Sequence, residues 1–403
     1  MRKASSRRLL TLLAASAALA VTSGGVSAQA RQQAHIEEPT QARQAGEPVQ
    51  ARGTQDRLGV FTIATGLDNP RGLDVAPNGT LYVAEAGSGG AGPCFPGPEG
   101  DDVCWGETGA ITKIWEDRQS RVLTGLPSIA APDGSAAIGP SDVAFGSGKG
   151  VGSLRFTVGL GADPAVRGTL PASGQQLQGW LSGATPSGRN LSQVADIAGF
   201  EAANDPDGNG PDSNPNSLLA VRNGHVVADA GGNSLLSVSP EGAVSTWAVF
   251  PNRMVDAPPS LGLEPGARIP LQSVPTSVAR GPDGAFYVGE LTGFPFPPGA
   301  ARIHRVVPGQ PPEVFATGFT NIIDIGFTPY GELYVLEIAH DGLSAGGPGA
   351  LIRVDQDGSR HIVLSDGLTM PGGLALSRDA AYVSNCGACP PGSGSVLRVP
   401  LIR

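Results

Sequence analysis

The sequence predicts an all-β protein assembled from repeated four-stranded units. Three observations carry that expectation. Gly and Pro, 59 and 36 of 403 residues, make up close to a quarter of the chain, and no helical period survives so many breakers. Hydrophobic residues are still 40% of the total and fall in short alternating runs, the period of strands over a packed core. One pattern also recurs six times: a turn, an apolar strand, a second strand that typically ends in an acid or amide, a loop, then two more strands.

The first copy runs Asn69-Pro70-Arg71-Gly72-Leu73-Asp74-Val75, turns at Pro77-Asn78-Gly79, and continues Leu81-Tyr82-Val83-Ala84-Glu85. The second is the most divergent, with Gly139-Pro140-Ser141-Asp142-Val143 and Leu154-Arg155-Phe156-Thr157. The third holds Asn214-Pro215-Asn216-Ser217-Leu218 and Val226-Val227-Ala228-Asp229. The fourth holds Val274-Pro275-Thr276-Ser277-Val278 and Phe286-Tyr287-Val288-Gly289-Glu290. The fifth has Asn321-Ile322-Ile323-Asp324-Ile325 and Leu333-Tyr334-Val335-Leu336-Glu337; the sixth has Met370-Pro371-Gly372-Gly373-Leu374 and Ala381-Tyr382-Val383-Ser384-Asn385. Third strands begin near Gly109, Asn233, Ala301, Gly349 and Gly394, and the divergent second copy is expected to place its own at Gly174 to Trp180. Fourth strands follow in five copies, but the chain ends at Arg403 without one for the sixth. Val60 to Leu67 resembles the fourth strand at Val314 to Phe319. Residues 58–403 therefore read as a six-bladed β-propeller whose ring is closed by an N-terminal strand completing the last blade.

Residues 1–30 read as a signal peptide. Arg2, Lys3, Arg7 and Arg8 precede the apolar run Leu9 to Val21, too short to span a bilayer, and small residues around Ala28 and Ala30 follow. Ser6-Arg7-Arg8-Leu9-Leu10 hints at twin-arginine export, but the general route fits better. Residues 31–57, rich in Gln, Ala, Arg, Glu and Pro, read as a disordered linker. The expectation is a secreted, extracytoplasmic, monomeric protein with no membrane insertion. A formal charge of −9 without a Lys/Arg cluster argues against nucleic acid and anionic membrane surfaces. The four cysteines form two local pairs, Cys94/Cys104 and Cys386/Cys389, which suits disulfides in an oxidising compartment. Two local bonds are expected, with a cross-linked pairing as the alternative.

Propeller topology sorts the loops. The loop after strand two and the link to the next blade share one face, and that face takes nearly all the insertions: 86–108, 160–173, 199–213, 251–270, 291–300 and 339–348. Binding is expected there. The repeat resembles NHL and gluconolactonase-like propellers in general form. Gly289 to Pro297, Asp212-Ser213-Asn214-Pro215 and Ala228-Asp229-Ala230-Gly231-Gly232-Asn233 resemble runs of the ScyD/ScyE family, exported bacterial propellers. Family members often carry Tyr-Gly where this chain has Asn216-Ser217. The resemblance implies fold and export, and lends no chemistry.

Candidate sites follow from register and composition. Glu85, Asp229, Glu290, Glu337 and Asn385 end strand two in a common register and are expected to gather around the channel on the elaborated face. With Asn69, Asn214 and Asn321 they could hold a hard divalent cation, which would make a metal-dependent lactone or ester hydrolase; the competing reading has each acid bonding within its own blade. Asp205-Pro206-Asp207-Gly208-Asn209-Gly210 matches the first half of a calcium loop, though its twelfth position is Asn216 rather than Glu. Calcium there would be structural; a polar turn is the simpler reading. Phe294 and Phe296, stiffened by Pro, offer an apolar surface for a ligand or partner. Glu337 and His340 could pair. No nucleophile-elbow, zincin or phosphate-loop motif occurs. The leading reading is an exported binding or interaction module for an unknown small molecule or extracellular protein, with no certain cofactor.

Overall fold

The structure is a computed structural model and describes residues 59–97, 102–116, 118–146 and 152–401. The segments read as signal peptide and linker lie outside the described residues.

Six antiparallel sheets form a six-bladed β-propeller. Blade one comprises Pro70–Val75, Leu81–Glu85, Asp102–Trp115 and Arg118–Ala130, with the short strand Cys94–Pro96 added beside the third. Blade two comprises Pro140–Phe145, Leu154–Val158, Trp180–Ala184 and Ser192–Asp196. Blade three comprises Pro215–Val221, Gly224–Asp229, Ser234–Val238 and Val244–Val249. Blade four comprises Pro275–Arg280, Phe286–Glu290, Ala301–Val306 and Glu313–Phe319. Blade five comprises Ile322–Phe327, Leu333–Glu337, Ala350–Val354 and Arg360–Leu364. Gly373–Leu376, Ala380–Asn385 and Gly394–Pro400 form the last sheet, and Phe61–Leu67 pairs antiparallel with Gly394–Pro400 as its outer strand. Each first strand packs on that of the next blade, and Gly373–Leu376 packs on Pro70–Val75.

Burial follows position in the blade. The second strands Leu81–Glu85, Phe286–Glu290 and Leu333–Glu337 are buried at every residue, because neighbouring blades cover both faces. The fourth strands Glu313–Phe319 and Arg360–Leu364 are mostly exposed. Apolar residues meet between blades: Val226 and Ala228 of blade three pack with Val278 and Val288 of blade four. The tight first turns require a left-handed residue, supplied by Gly79, Gly284 and Gly331 at φ 82°, 81° and 86°.

One element differs from expectation. Gly174 to Trp180 is not the third strand of blade two. Helix α1, Ala172–Leu177, occupies most of it, and the strand is Trp180–Ala184. Gly174 and Leu177 are its buried residues, three apart on one helical face.

Both disulfides are local. Cys94–Cys104 links paired strands of the blade-one insertion, and Cys386–Cys389 staples the blade-six loop. The blade-six loop meets the segments on either side of blade one: Ala136 N donates to Ala388 O at 3.4 Å, and Gly392 N to Asp68 Oδ1 at 2.7 Å. Among the described residues no helix is long and apolar enough to cross a membrane.

Candidate functional site

The residues that end strand two do not gather around an open channel. Each is taken up inside its own blade, where it holds the segment that leads into the first strand. Glu85 accepts Asp68 N at 2.8 Å, Arg121 Nη2 at 2.6 Å and the Thr112 hydroxyl. Asp229 accepts Asn214 N at 2.6 Å, Ser213 Oγ at 2.7 Å, and Gly231 N and Gly232 N at 3.2 and 3.3 Å. Glu290 meets His304 Nε2 at 2.7 Å, Arg253 Nη2 at 2.8 Å, Ser273 Oγ at 3.0 Å and Arg302 Nε at 3.3 Å. Glu337 accepts Thr320 N at 2.7 Å and meets His340 Nδ1 at 2.5 Å. Asn385 accepts Thr369 N at 2.8 Å and donates to Gly367 O at 3.0 Å. The four carboxylates are at most 1% exposed. Burial pushes Glu337 and Asp229 up despite these donors; it also pushes on Glu290, but His304, Arg253 and Arg302 together hold that carboxyl below its ordinary value.

The asparagines considered with them tie loops together. Asn69 Nδ2 donates to Gly87 O and Gly134 O, and Asn321 Nδ2 donates to Leu291 O of the preceding blade. Asn69 and Asn321 sit at φ 49° and 46°, the left-handed region that asparagine tolerates. The two runs Asp212 to Pro215 and Ala228 to Asn233 are halves of one clasp, closed by Asp229.

The channel mouth on the elaborated face is lined instead by the second residues of the first strands. Arg71, Ser141, Asn216, Thr276 and Ile323 come from blades one to five, joined by Ala137, Ala230 and Leu291 from the loops. They enclose a cavity of about 40 Å³, room for a few waters or a carboxylate-sized group. Arg71 is the only charged side chain in the lining. Its Nη2 donates to Ala137 O at 2.7 Å, and no ion pair among the described residues involves it. Burial without a counter-charge lowers the guanidinium to about 10. Asn216 Nδ2 donates to Thr276 O at 2.7 Å, so the position that departs from the ScyD/ScyE pattern lies in this wall.

Below the mouth, three aspartates clasp the inner strand edges. Asp142 accepts Val143 N and Leu218 N, Asp324 accepts Ile325 N and Leu374 N, and Asp74 accepts Val75 N and Phe145 N. In each case the first donor is the next residue and the second belongs to the next blade. A propeller leaves its innermost strand edges unpaired, and these carboxylates satisfy N–H groups there.

The remaining candidates are dispersed. Phe294 and Phe296 are half-buried with ring centroids 6.3 Å apart, and Phe296 packs on the apolar cluster around Leu343; neither lines the mouth. Asp205 and Asp207 come together with Glu201, while Asn209 turns its Nδ2 onto Asp207 at 2.8 Å. Arg71, Asp142, Asp324 and Glu201 are functional candidates that the sequence did not single out. Asp142 and Asp324 are each the one charged residue of an inner strand, which was the available signal for them, whereas Arg71 shares its strand with Asp74.

No protein-family model matches the chain, and no curated protein does. Solved six-bladed propellers are similar in structure. A gluconolactonase from Xanthomonas campestris is 9% identical, with 85% of this chain and 89% of that chain covered and a TM-score of 0.50. A glucose dehydrogenase is 12% identical, with 85% and 99% covered and a TM-score of 0.50. A virginiamycin B lyase from Staphylococcus aureus is 12% identical over 85% and 98%, with a TM-score of 0.45. Likeness at this identity shows the fold alone.

Proposed function

We propose that the chain is an exported ligand-binding propeller, of the ScyD/ScyE kind, whose channel mouth takes the anionic group of a small molecule. The observation that carries this reading is Arg71: a guanidinium in a concave, mostly apolar wall, with one carbonyl partner and no carboxylate in the lining. Desolvating a cation is unfavourable unless an anion is recovered on binding. Ser141, Asn216 and Thr276 add polar groups of neutral charge around it. Export is supported by the two disulfides.

The lactonase alternative asks for a divalent ion held by Glu85, Asp229, Glu290 and Glu337. Their oxygens are engaged by donors of their own blades and of the segments that lead into them, which favours the binding reading.

The test is a thermal-shift and calorimetric screen of small carboxylates and phosphate esters against the wild type and Arg71→Met. An anion is expected to raise the melting temperature of the wild type and to bind about 10–100-fold more weakly to Arg71→Met. That variant keeps the aliphatic stem and loses one hydrogen bond, so it should fold. Binding unchanged in Arg71→Met, or no response to any anion, would sink the proposal. Turnover of lactones that depends on an added divalent metal would install the hydrolase in its place.

A further inference from the structure

Helix α2, Ile197–Asn204, closes on Asp205, which adopts the left-handed conformation at φ 40° and donates its N–H to Glu201 O at 2.8 Å. The last helical turn thereby sets Glu201 over the Asp205–Asn209 turn. One carboxylate oxygen from each of Glu201, Asp205 and Asp207 lies within 4.8 Å of the others. An acidic turn alone is unremarkable, and two of these acids have ordinary partners. Asp207 accepts from Asn209 and from Asn233 Nδ2 at 2.9 Å, and Asp205 accepts Gly210 N.

Glu201 is different. It is fully buried, and neither carboxylate oxygen has a hydrogen-bond partner. Buried carboxylates in folded proteins are paired, hydrogen-bonded or bound to metal. Asp212 adds a further buried oxygen, Oδ1, without a partner. The surroundings make room for both. A Cβ on Gly232 would come within 2.6 Å of Glu201 Oε2, and one on Gly231 within 2.9 Å of Asp212 Oδ1. No ion pair among the described residues involves Glu201, Asp205, Asp207 or Asp212.

We propose that Glu201, Asp205 and Asp207 ligate a calcium ion, with Asp212 beside them. Oxygen donors alone, several of them anionic and set on a turn, suit calcium; magnesium retains its waters and demands stricter octahedral geometry. The carboxylate that a calcium loop ordinarily supplies at its twelfth position comes here from the preceding helix, four residues before Asp205. Asn216, which occupies the twelfth position, lies in the channel wall instead. The ion would fasten α2 and its loop against the Asp229 turn, whose clasp holds Ser213 and Asn214. This site stands independently of Arg71, and either proposal survives failure of the other.

The experiment uses the full mature chain, freed of metal with EDTA, then titrated with calcium chloride by calorimetry and melted with and without calcium at about 1 mM, the range of extracellular modules. The wild type is expected to bind calcium and to melt several degrees higher with it, with a smaller response to magnesium. Glu201→Gln is expected to bind at least tenfold more weakly. In EDTA it should melt no lower than the wild type, because the substitution replaces a buried carboxyl group that has no hydrogen-bond partner to lose. Asp207→Asn should also weaken binding. Absence of heat and of a melting shift in the wild type, or full affinity in Glu201→Gln, would overturn the assignment. So would a Glu201→Gln protein that melts lower in EDTA, since that would mean the carboxylate is already satisfied.

Discussion

Glu290→Ala is expected to destabilise the fold by about 3–5 kcal/mol, which would be among the largest effects of any single substitution. The carboxylate is 1% exposed and collects Arg253, Arg302, His304 and Ser273. Arg302 and His304 come from the third strand of the same blade, and Arg253 from the hairpin of Arg253–Asp256 with Arg268–Leu271. Glu290 therefore joins a blade to its insertion. Removing it leaves cations in a site with few other acceptors, although Arg253 Nη2 retains Ala300 O at 3.0 Å. Charge is the source of the cost, so Glu290→Gln should lose less than Glu290→Ala but still more than about 1 kcal/mol. Urea unfolding of both variants measures this. A loss below about 1 kcal/mol for Glu290→Ala would mean that the network contributes no stability, and would reopen the strand-two carboxylates as ligands awaiting a metal.

That case shows what was legible in the sequence. The strand-two acids stand out because a carboxylate ending a fully apolar strand is conspicuous in every blade that has one. Their register was readable and their destination was not. Whether Glu290 faces a channel or its own blade depends on Arg253, 37 residues away, and on His304 in the adjacent strand. The blades were readable because alternation and Gly turns are local properties. Blade two was harder, since α1 interrupts it with a single helical turn. Glu201 gave no signal, because its environment is made by Gly231 and Gly232 of another blade. The calcium half-motif was visible at Asp205, but the carboxylate that would complete it lies upstream, outside the pattern sought.

The inner-edge aspartates carry the remaining large effect, and it concerns pH. Burial raises Asp324 to about 7, against the pull of Ile325 N and Leu374 N. Burial also raises Asp142 well above the carboxylate range, and the charge of Asp324 adds to it. The two belong to blades two and five, on opposite sides of the ring. An acid whose folded value exceeds its unfolded one keeps its proton longer in the folded chain. Its stabilisation is thus complete below about 4 and is lost as pH rises toward the folded value. Stability is therefore expected to fall between about pH 4 and pH 7, by about 1–3 kcal/mol from Asp324 once screening at a half-buried site is allowed for. Asp74, raised to about 6 by burial, contributes in the same direction, so the absolute slope does not isolate one residue. The difference between wild type and Asp324→Asn does. An amide keeps one acceptor and does not titrate. Asp324→Asn should be less stable than the wild type at pH 5 by about 1 kcal/mol, and the gap should close by pH 8. Denaturant unfolding at three or four pH values gives both curves. Parallel curves would show that Asp324 stays ionised across the range, and that its two N–H donors outweigh its burial.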